Sequence, residues 1–257
     1  MFNKAQIQLK TPEQFETMRK AGRVVALCLE EIQSRIKPGM TTLDLDLIAR
    51  NIMDKEGAKP SFLGYHGFPA VICVSVNEEV VHGIPRKSKI LNEGDLVSID
   101  CGAIINGWHG DAAITIGVGN VKPEHQQLSE LTKQALQVGI NAALPGNHIG
   151  DIGFAIENFV RSHHDLKIGI LEDYVGHGIG TEMHMAPSVP NYGKAGTGLE
   201  LVEGMAIAIE PMLVLGSNKV HVLEDEWTVV SSEGSFASHW ENTIAITKNG
   251  PEILTKL

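Results

Sequence analysis

The chain has 257 residues and a formal net charge of −10, with 21 lysines and arginines against 31 aspartates and glutamates. That length is enough for a full hydrophobic core in one large domain or two modest ones. An apolar share of 43% and a charged share of 20% exclude a disordered or fibrous chain. The acidic balance argues against a nucleic-acid or anionic-membrane surface, because both need a basic footprint. No apolar run reaches the ~20 residues that span a bilayer, and Met1–Phe15 lacks the apolar core of a secretory signal. Cys28, Cys73 and Cys101 are odd in number and far apart, so a reducing cytoplasm is expected rather than a disulfide framework.

Thr11-Pro12-Glu13-Gln14 predicts a helix start, with Thr11 as cap, Pro12 at the first helical position and Gln14 completing a capping box. Phe15, Met18, Val25, Leu29, Ile32 and Ile36 follow at helical spacing until Pro38-Gly39. A second helix begins near Thr42, with Leu43, Leu47, Ile48 and Ile52 on one face. Val71–Val76, Leu96–Ile99 and Ala112–Ile116 read as strands. Pro123 opens a helix that ends at Pro145-Gly146, and another covers about Ile149–His163. Beyond it, strands are predicted at Ala206–Ile209, Trp227–Ser231 and Ile244–Thr247.

An internal echo runs through these elements. Lys37-Pro38-Gly39…Asp44 resembles Leu144-Pro145-Gly146…Asp151 at an offset of 107, and His82-Gly83-Ile84 matches His177-Gly178-Ile179 at 95. Glu93-Gly94…Ile99-Asp100 matches Glu203-Gly204…Ile209-Glu210 at 110, and Asp111–Ile116 resembles Glu241–Ile246 at 130. Four matches in one order predict a duplicated α/β unit. It would form a single domain over 1–257, with halves of about 12–120 and 123–250 related by a pseudo-twofold axis. Asp100 would then face Glu210, Asp111 would face Glu241, and His82 would face His177.

Four acids at the ends of apolar strands cannot all stay ionised together without cations, and no lysine or arginine is near any of them in sequence. Divalent ions would meet the need. Three or four carboxylates with one imidazole suit Mn²⁺, Fe²⁺, Co²⁺ or Zn²⁺, and two ions where carboxylates bridge. Such a pair, ~3.5–4 Å apart, acidifies a shared water to hydroxide. His66, His109, His125, His148, His163, His164, His221 and His239 have no such setting and read as surface or packing residues. No His-Glu-x-x-His, Gly-x-Ser-x-Gly, Cys-x-x-Cys or phosphate loop is present.

The order Asp100, Asp111, His177, Glu210, Glu241 resembles the ligand order of the methionine aminopeptidases. So do Asn77-Glu78-x-x-x-His82-Gly83-Ile84-Pro85, Gly107-x-His109-Gly110-Asp111 and Gly176-His177-Gly178-Ile179-Gly180. Only 25 residues separate His184 from Glu210, which resembles the type I form without the type II insertion, and no N-terminal zinc-binding extension precedes the match, as in bacterial members. The resemblance implies the pita-bread fold, an α/β (α+β) architecture with a central, mostly antiparallel curved sheet covered by helices. It implies two divalent ions held by Asp100, Asp111, His177, Glu210 and Glu241. A hydroxide bridging them would attack the scissile peptide, with Glu210 as proton relay. His184 would stabilise the oxyanion and His82 would contact the substrate backbone.

The pocket for the methionine side chain resembles the family's through Tyr65, Phe68, Cys73 and Trp227, with Met183 beside them; Met183 and Trp240 depart from the family's usual residues at positions that bear on its shape. The expected substrates are nascent polypeptides beginning with Met, with a transient ribosome contact, no specific nucleic acid and no membrane. A cytoplasmic monomer is expected. A prolidase or aminopeptidase P shares the fold and ligands but usually carries an extra N-terminal domain. A catalytically inert binding protein of the same fold is the third reading.

Overall fold

The computed structural model describes residues 7–163 and 166–257. Among the described residues four α-helices form: α1 (Pro12–Arg35), α2 (Thr42–Glu56), α3 (Pro123–Ala142) and α4 (Ile149–Arg161). The capping box at Thr11 and Gln14 is present, and Thr41 with Asp44 makes another. Among the described residues no helix is long and apolar enough to cross a membrane.

The main sheet has nine strands. Its path runs Lys59–Pro60, Leu96–Ile105, Trp108–Gly117, Glu241–Thr247, Ala206–Ile209, Gly176–Gly178, Met185–Val189. Ile72–Val76 is added on the Leu96–Ile105 strand and Gly250–Ile253 on the Glu241–Thr247 strand. Each of these pairings is antiparallel. One hydrophobic cluster joins α1 and α2 to the first hairpin through Val25, Cys28, Ile32, Leu45, Val97 and Ile99. Another joins α3 and α4 to the later strands through Leu136, Ile140, Ile152, Ile156, Ile209 and Ile244.

The two Pro-Gly blocks make the same local bonds. Gly39 N donates to Leu91 O and Gly146 N to Leu201 O, each at 2.8 Å. Thr41 N donates to Asp44 Oδ2 and His148 N to Asp151 Oδ2, each at 2.7 Å. The first pair of strands differs from expectation. Leu96–Ile105 and Trp108–Gly117 form one hairpin of two ten-residue strands, so Asp100 and Asp111 lie inside strands, not at their ends. The cause is Asn106-Gly107, a two-residue turn with φ of 49° and 80°, the residue pair that best fits a type I′ hairpin. Between Glu210 and Glu241, the residues expected to match Asp100 and Asp111, the chain makes a longer excursion that includes the strands Met212–Leu215, Val220–Val222, Val229–Ser231 and Ala237–His239. The strand expected from Trp227 starts at Val229, because Asp225 Oδ1 accepts from both Trp227 N and Thr228 N and holds them in a turn.

Helix α1 approaches this hairpin closely. A methyl group on Gly22 would collide with the Leu254 carbonyl, and one on Gly110 would come within 2.7 Å of Gly22 N. Gly22→Ala is therefore expected to destabilise the protein by roughly 1–3 kcal/mol through overpacking. Chemical denaturation measures it, and a loss under about 0.5 kcal/mol would contradict the close approach.

Candidate metal centre

The sheet register gathers the acids. Asp100 pairs with Ala113 and Gly102 with Asp111, so the two aspartates share one face as diagonal neighbours. Glu241 opposes Ala113 from the other side. Asn242 pairs with Ile209, which sets Glu210, the residue after that strand, beside Glu241. His177 lies on the adjoining strand, with Nε2 3.8 Å from Asp111 Oδ2 and 3.7 Å from Glu210 Oε1. Its Nδ1 contacts its neighbour's carbonyl, Gly178 O, at 3.0 Å, which leaves Nε2 for the acids.

The backbone here is held from behind. Thr243 Oγ1 accepts from Asp111 N at 3.0 Å and donates to Asp111 O at 2.8 Å. Asn191 Nδ2 donates to Glu210 O at 3.0 Å.

Three of the carboxylates each leave one oxygen without a partner. Asp100 Oδ1, Asp111 Oδ1 and Glu241 Oε1 are buried without a hydrogen-bond partner. Burial first, then the neighbouring carboxylates, push Asp111 and Glu241 far above the ordinary carboxylate range. Burial lifts Asp100 to about 6 against the pull of His239. Burial also pushes Glu210 upward, but the His239 and His177 rings beside it outweigh that and hold it below its usual value. Three acids that resist ionisation, with oxygens facing no partner, fit a divalent-cation site of oxygen donors and imidazole.

A cavity of about 170 Å³ opens onto these acids. Tyr65, Phe68, Cys73, His82, Met183, His184 and Trp227 line it, so the residues expected around the substrate lie together with the expected ligands. Cys73 pairs with Asp100 across the sheet, and burial followed by the nearby Asp100 pushes its thiol well up, so it stays neutral. His184 Nδ1 lies 2.8 Å from the Tyr65 hydroxyl, and the His184 and His177 rings are 4.3 Å apart between centroids. Desolvation, then His177, lowers His184 to about 4, and burial lowers His82 as well. Both imidazoles are neutral near pH 7.

These features have a counterpart in known proteins. The family described as Metallopeptidase family M24 matches residues 16–248. The chain belongs to metallopeptidase family M24. This metallopeptidase is 49% identical over 249 residues to a methionine aminopeptidase of Clostridium acetobutylicum, covering 97% of this chain and 98% of that one. Its structure matches that of the Thermotoga maritima methionine aminopeptidase at a TM-score of 0.95 and 46% identity, covering 98% of this chain and all of the other. The fold is thus the pita-bread fold, a mixed α/β architecture around an antiparallel sheet. A prolidase from Pyrococcus furiosus is more distant, at 25% identity and a TM-score of 0.75, and the metallopeptidase covers 65% of that chain.

Two of the expectations need correction. His239 is not a packing residue apart from the site: its Nε2 lies 3.2 Å from Glu210 Oε2. Its place is set by the excursion after Glu210, which no local spacing announces. Trp240 does not shape the substrate cavity. It precedes Glu241 and so points to the opposite face of the sheet, where its Nε1 donates to Ser129 Oγ at 3.1 Å and Lys133 Nζ sits 5.0 Å from its ring. Phe62, Tyr174 and Met212 also line the cavity and were not anticipated. Of the remaining histidines, His109 is buried against Ser61 at 3.0 Å, and His164 lies outside the described residues.

The raised carboxylates set a pH dependence for metal-free protein. A group whose folded pKa lies above its unfolded value binds more protons in the native state, so its contribution weakens stability as pH rises. For Asp100 the fall starts near the unfolded value of about 4 and is complete above about 6; for Asp111 and Glu241 it extends higher. The thermal midpoint of EDTA-treated protein should therefore fall between pH 5 and 8 by more than that of protein saturated with Mn²⁺. Parallel curves would contradict the site.

Proposed function

We propose that this metallopeptidase is a methionine aminopeptidase that removes the initiator methionine from nascent proteins in the cytoplasm. The observation that carries this is a single cavity joining five convergent metal-type donors to a lining of Phe62, Tyr65, Phe68, Cys73, Met183 and Trp227. Aromatic rings and polarizable sulfur suit an unbranched thioether side chain. A cavity of this volume takes one side chain, since an apolar cavity of about 150 Å³ accepts benzene.

In this reading Asp100, Asp111, His177, Glu210 and Glu241 hold two divalent ions, of Co²⁺, Mn²⁺, Fe²⁺ or Zn²⁺. Such ions, when bound, offset the buried negative charge, acidify water and polarise the substrate carbonyl. The other roles belong to the chain. Glu210, kept ionised by its imidazole neighbours, accepts the proton of the attacking water and delivers it to the departing amine. In this reading the Tyr65 hydroxyl, 2.8 Å from His184 Nδ1, is the donor of that contact, which would leave the ring proton on Nε2. That N–H donates to the peptide oxygen as negative charge develops there. His82 contacts the substrate backbone beside the scissile bond. The apolar wall takes the methionine side chain and keeps bulk water from it.

The duplicated-half organisation of the single 1–257 domain belongs to the same reading, supported by the matching bonds of the two Pro-Gly blocks. So do a monomeric state and a transient contact with the ribosome.

Three measurements test this. Glu210→Gln should lower kcat by on the order of 10²–10⁴-fold, and His177→Ala should nearly abolish turnover; full activity in either would sink the assignment. Wild type should cleave Met-Ala peptides and leave X-Pro peptides intact, whereas a preference for X-Pro would indicate a prolidase. Absence of divalent metal by elemental analysis, with no uptake on addition, would indicate an inert binding protein. Separately, Tyr65→Phe removes one hydrogen bond worth about 0.5–1.5 kcal/mol, so kcat/KM should fall by about 2–12-fold.

A further inference from the structure

One more donor faces the acids besides the five expected ligands. His239 closes the Ala237–His239 strand and is 2% exposed. Its Nε2 is buried and forms no hydrogen bond, although Glu210 Oε2 is 3.2 Å away. The ring nitrogen is close to the carboxylate without being aligned with it. A carboxylate out of line satisfies a buried nitrogen poorly, and a cation is the other partner it could take.

The donor atoms divide into two groups that share Glu241. One contains Asp111, His177 and Glu241, the other Glu210, His239 and Glu241, and within each group the atoms lie within 4.8 Å of one another. Donors bound about 2.0–2.2 Å from a common metal are at most ~4.4 Å apart, so each group needs only a small contraction to enclose an ion.

The chain also holds His239 firmly. Its N–H faces Thr115 Oγ1 at 3.0 Å and Ser98 Oγ at 3.2 Å. Thr115 Oγ1 donates to His239 O at 2.8 Å and accepts from Ser238 Oγ at 3.1 Å. The residue pairs with Met212 across the ladder. Two hydroxyl side chains thus fix the backbone of one histidine at the edge of the acid cluster, with Ser238 holding one of them.

We infer that His239 is a metal ligand through Nε2, completing with Glu210 and Glu241 a second donor set, so that each of two ions has its own imidazole. This deepens the dimetal reading and rests on it. A second nitrogen changes the chemistry of the centre. Carboxylate-rich sites suit Mn²⁺, while imidazole favours Fe²⁺, Co²⁺ and Zn²⁺. Two imidazoles, one per ion, shift the balance of both sites toward the latter group.

The test uses Co²⁺ as probe on full-length protein stripped of metal. Calorimetric and visible-absorption titrations compare wild type with His239→Gln and His239→Leu. Both substitutions should weaken one of two binding events by at least tenfold and leave the other unchanged, with an altered visible spectrum. Glutamine retains an amide that can orient Glu210. If His239→Gln kept wild-type affinity and spectrum while His239→Leu lost them, His239 would be a carboxylate-positioning residue and the inference would be overturned. A second measurement needs no variant. Proton NMR of Co²⁺-saturated wild type, isotopically labelled at histidine, should show two contact-shifted imidazole rings, a through-bond effect confined to coordinated rings. One such ring would overturn the inference even if both variants failed to fold. Wild type that takes up no Co²⁺ would remove the metallopeptidase reading first, before the variants are compared.

Discussion

Like charge in a confined space is the constraint around which this molecule is arranged. Asp100, Asp111, Glu210 and Glu241 sit on one face of one sheet, and three of them leave a buried oxygen without a partner. No lysine or arginine forms a salt bridge with any of the four among the described residues; the neighbouring cationic candidates are imidazoles. Burying carboxylates in this way costs several kcal/mol each unless something compensates. Without metal the compensation is a proton, and with metal it is the cation. The two compete, so metal uptake must release protons and strengthen as pH rises.

The fold meets that constraint by rigidity. Side chains aimed at a shared ion must not relax apart when it is absent, so their backbones are bound to something other than each other. Thr243 holds Asp111 at both its N–H and its carbonyl, Asn191 holds the carbonyl of Glu210, and Gly178 O anchors the His177 ring. Two packed helix pairs then back the strands. The close approach of α1 to the hairpin at Gly22 and Gly110 ties the aspartate strands to the first of these pairs.

Much of this was legible in the residues. The capping residues at Thr11 and the Pro-Gly stops bounded the helices, because caps and breakers act within a few positions. The ordered repeat brought Asp100, Asp111, Glu210 and Glu241 to notice together, since equivalent positions of two related units carry the same residue type. Other features were less accessible. Asn106-Gly107 was overlooked, although it is a strong local hairpin signal, and with it the placing of both aspartates inside strands. His239 stands two residues before Glu241, the spacing that shares a strand face, but its contact with Glu210 could not be found by spacing. Its position depends on a segment present in only one half, which leaves Glu210 and returns to the sheet just before Glu241. The orientation of Trp240 follows from strand alternation next to Glu241 and was readable, but adjacency to a ligand suggested the wrong face.

The electrostatics of the histidines complete the picture. Catalysis at a peptide bond needs one group that stays negative to carry a proton and another that stays neutral yet can donate. The surroundings of Glu210 and His184 separate them into the two charge states that the proposed roles need. Glu210 keeps its charge because imidazoles stand beside it, while His184 is kept neutral by loss of hydration and by the ring of His177. Divalent cations, once bound, would push both further the same way, stabilising the carboxylate and repelling a proton from the imidazole. For these two groups, though not for Asp100, Asp111 and Glu241, the charge in the metal-free protein is therefore already the one that the loaded site requires. The apolar wall of Phe68, Met183 and Trp227 carries no charge of its own, so in the proposed reading selectivity for methionine is a matter of shape and polarizability.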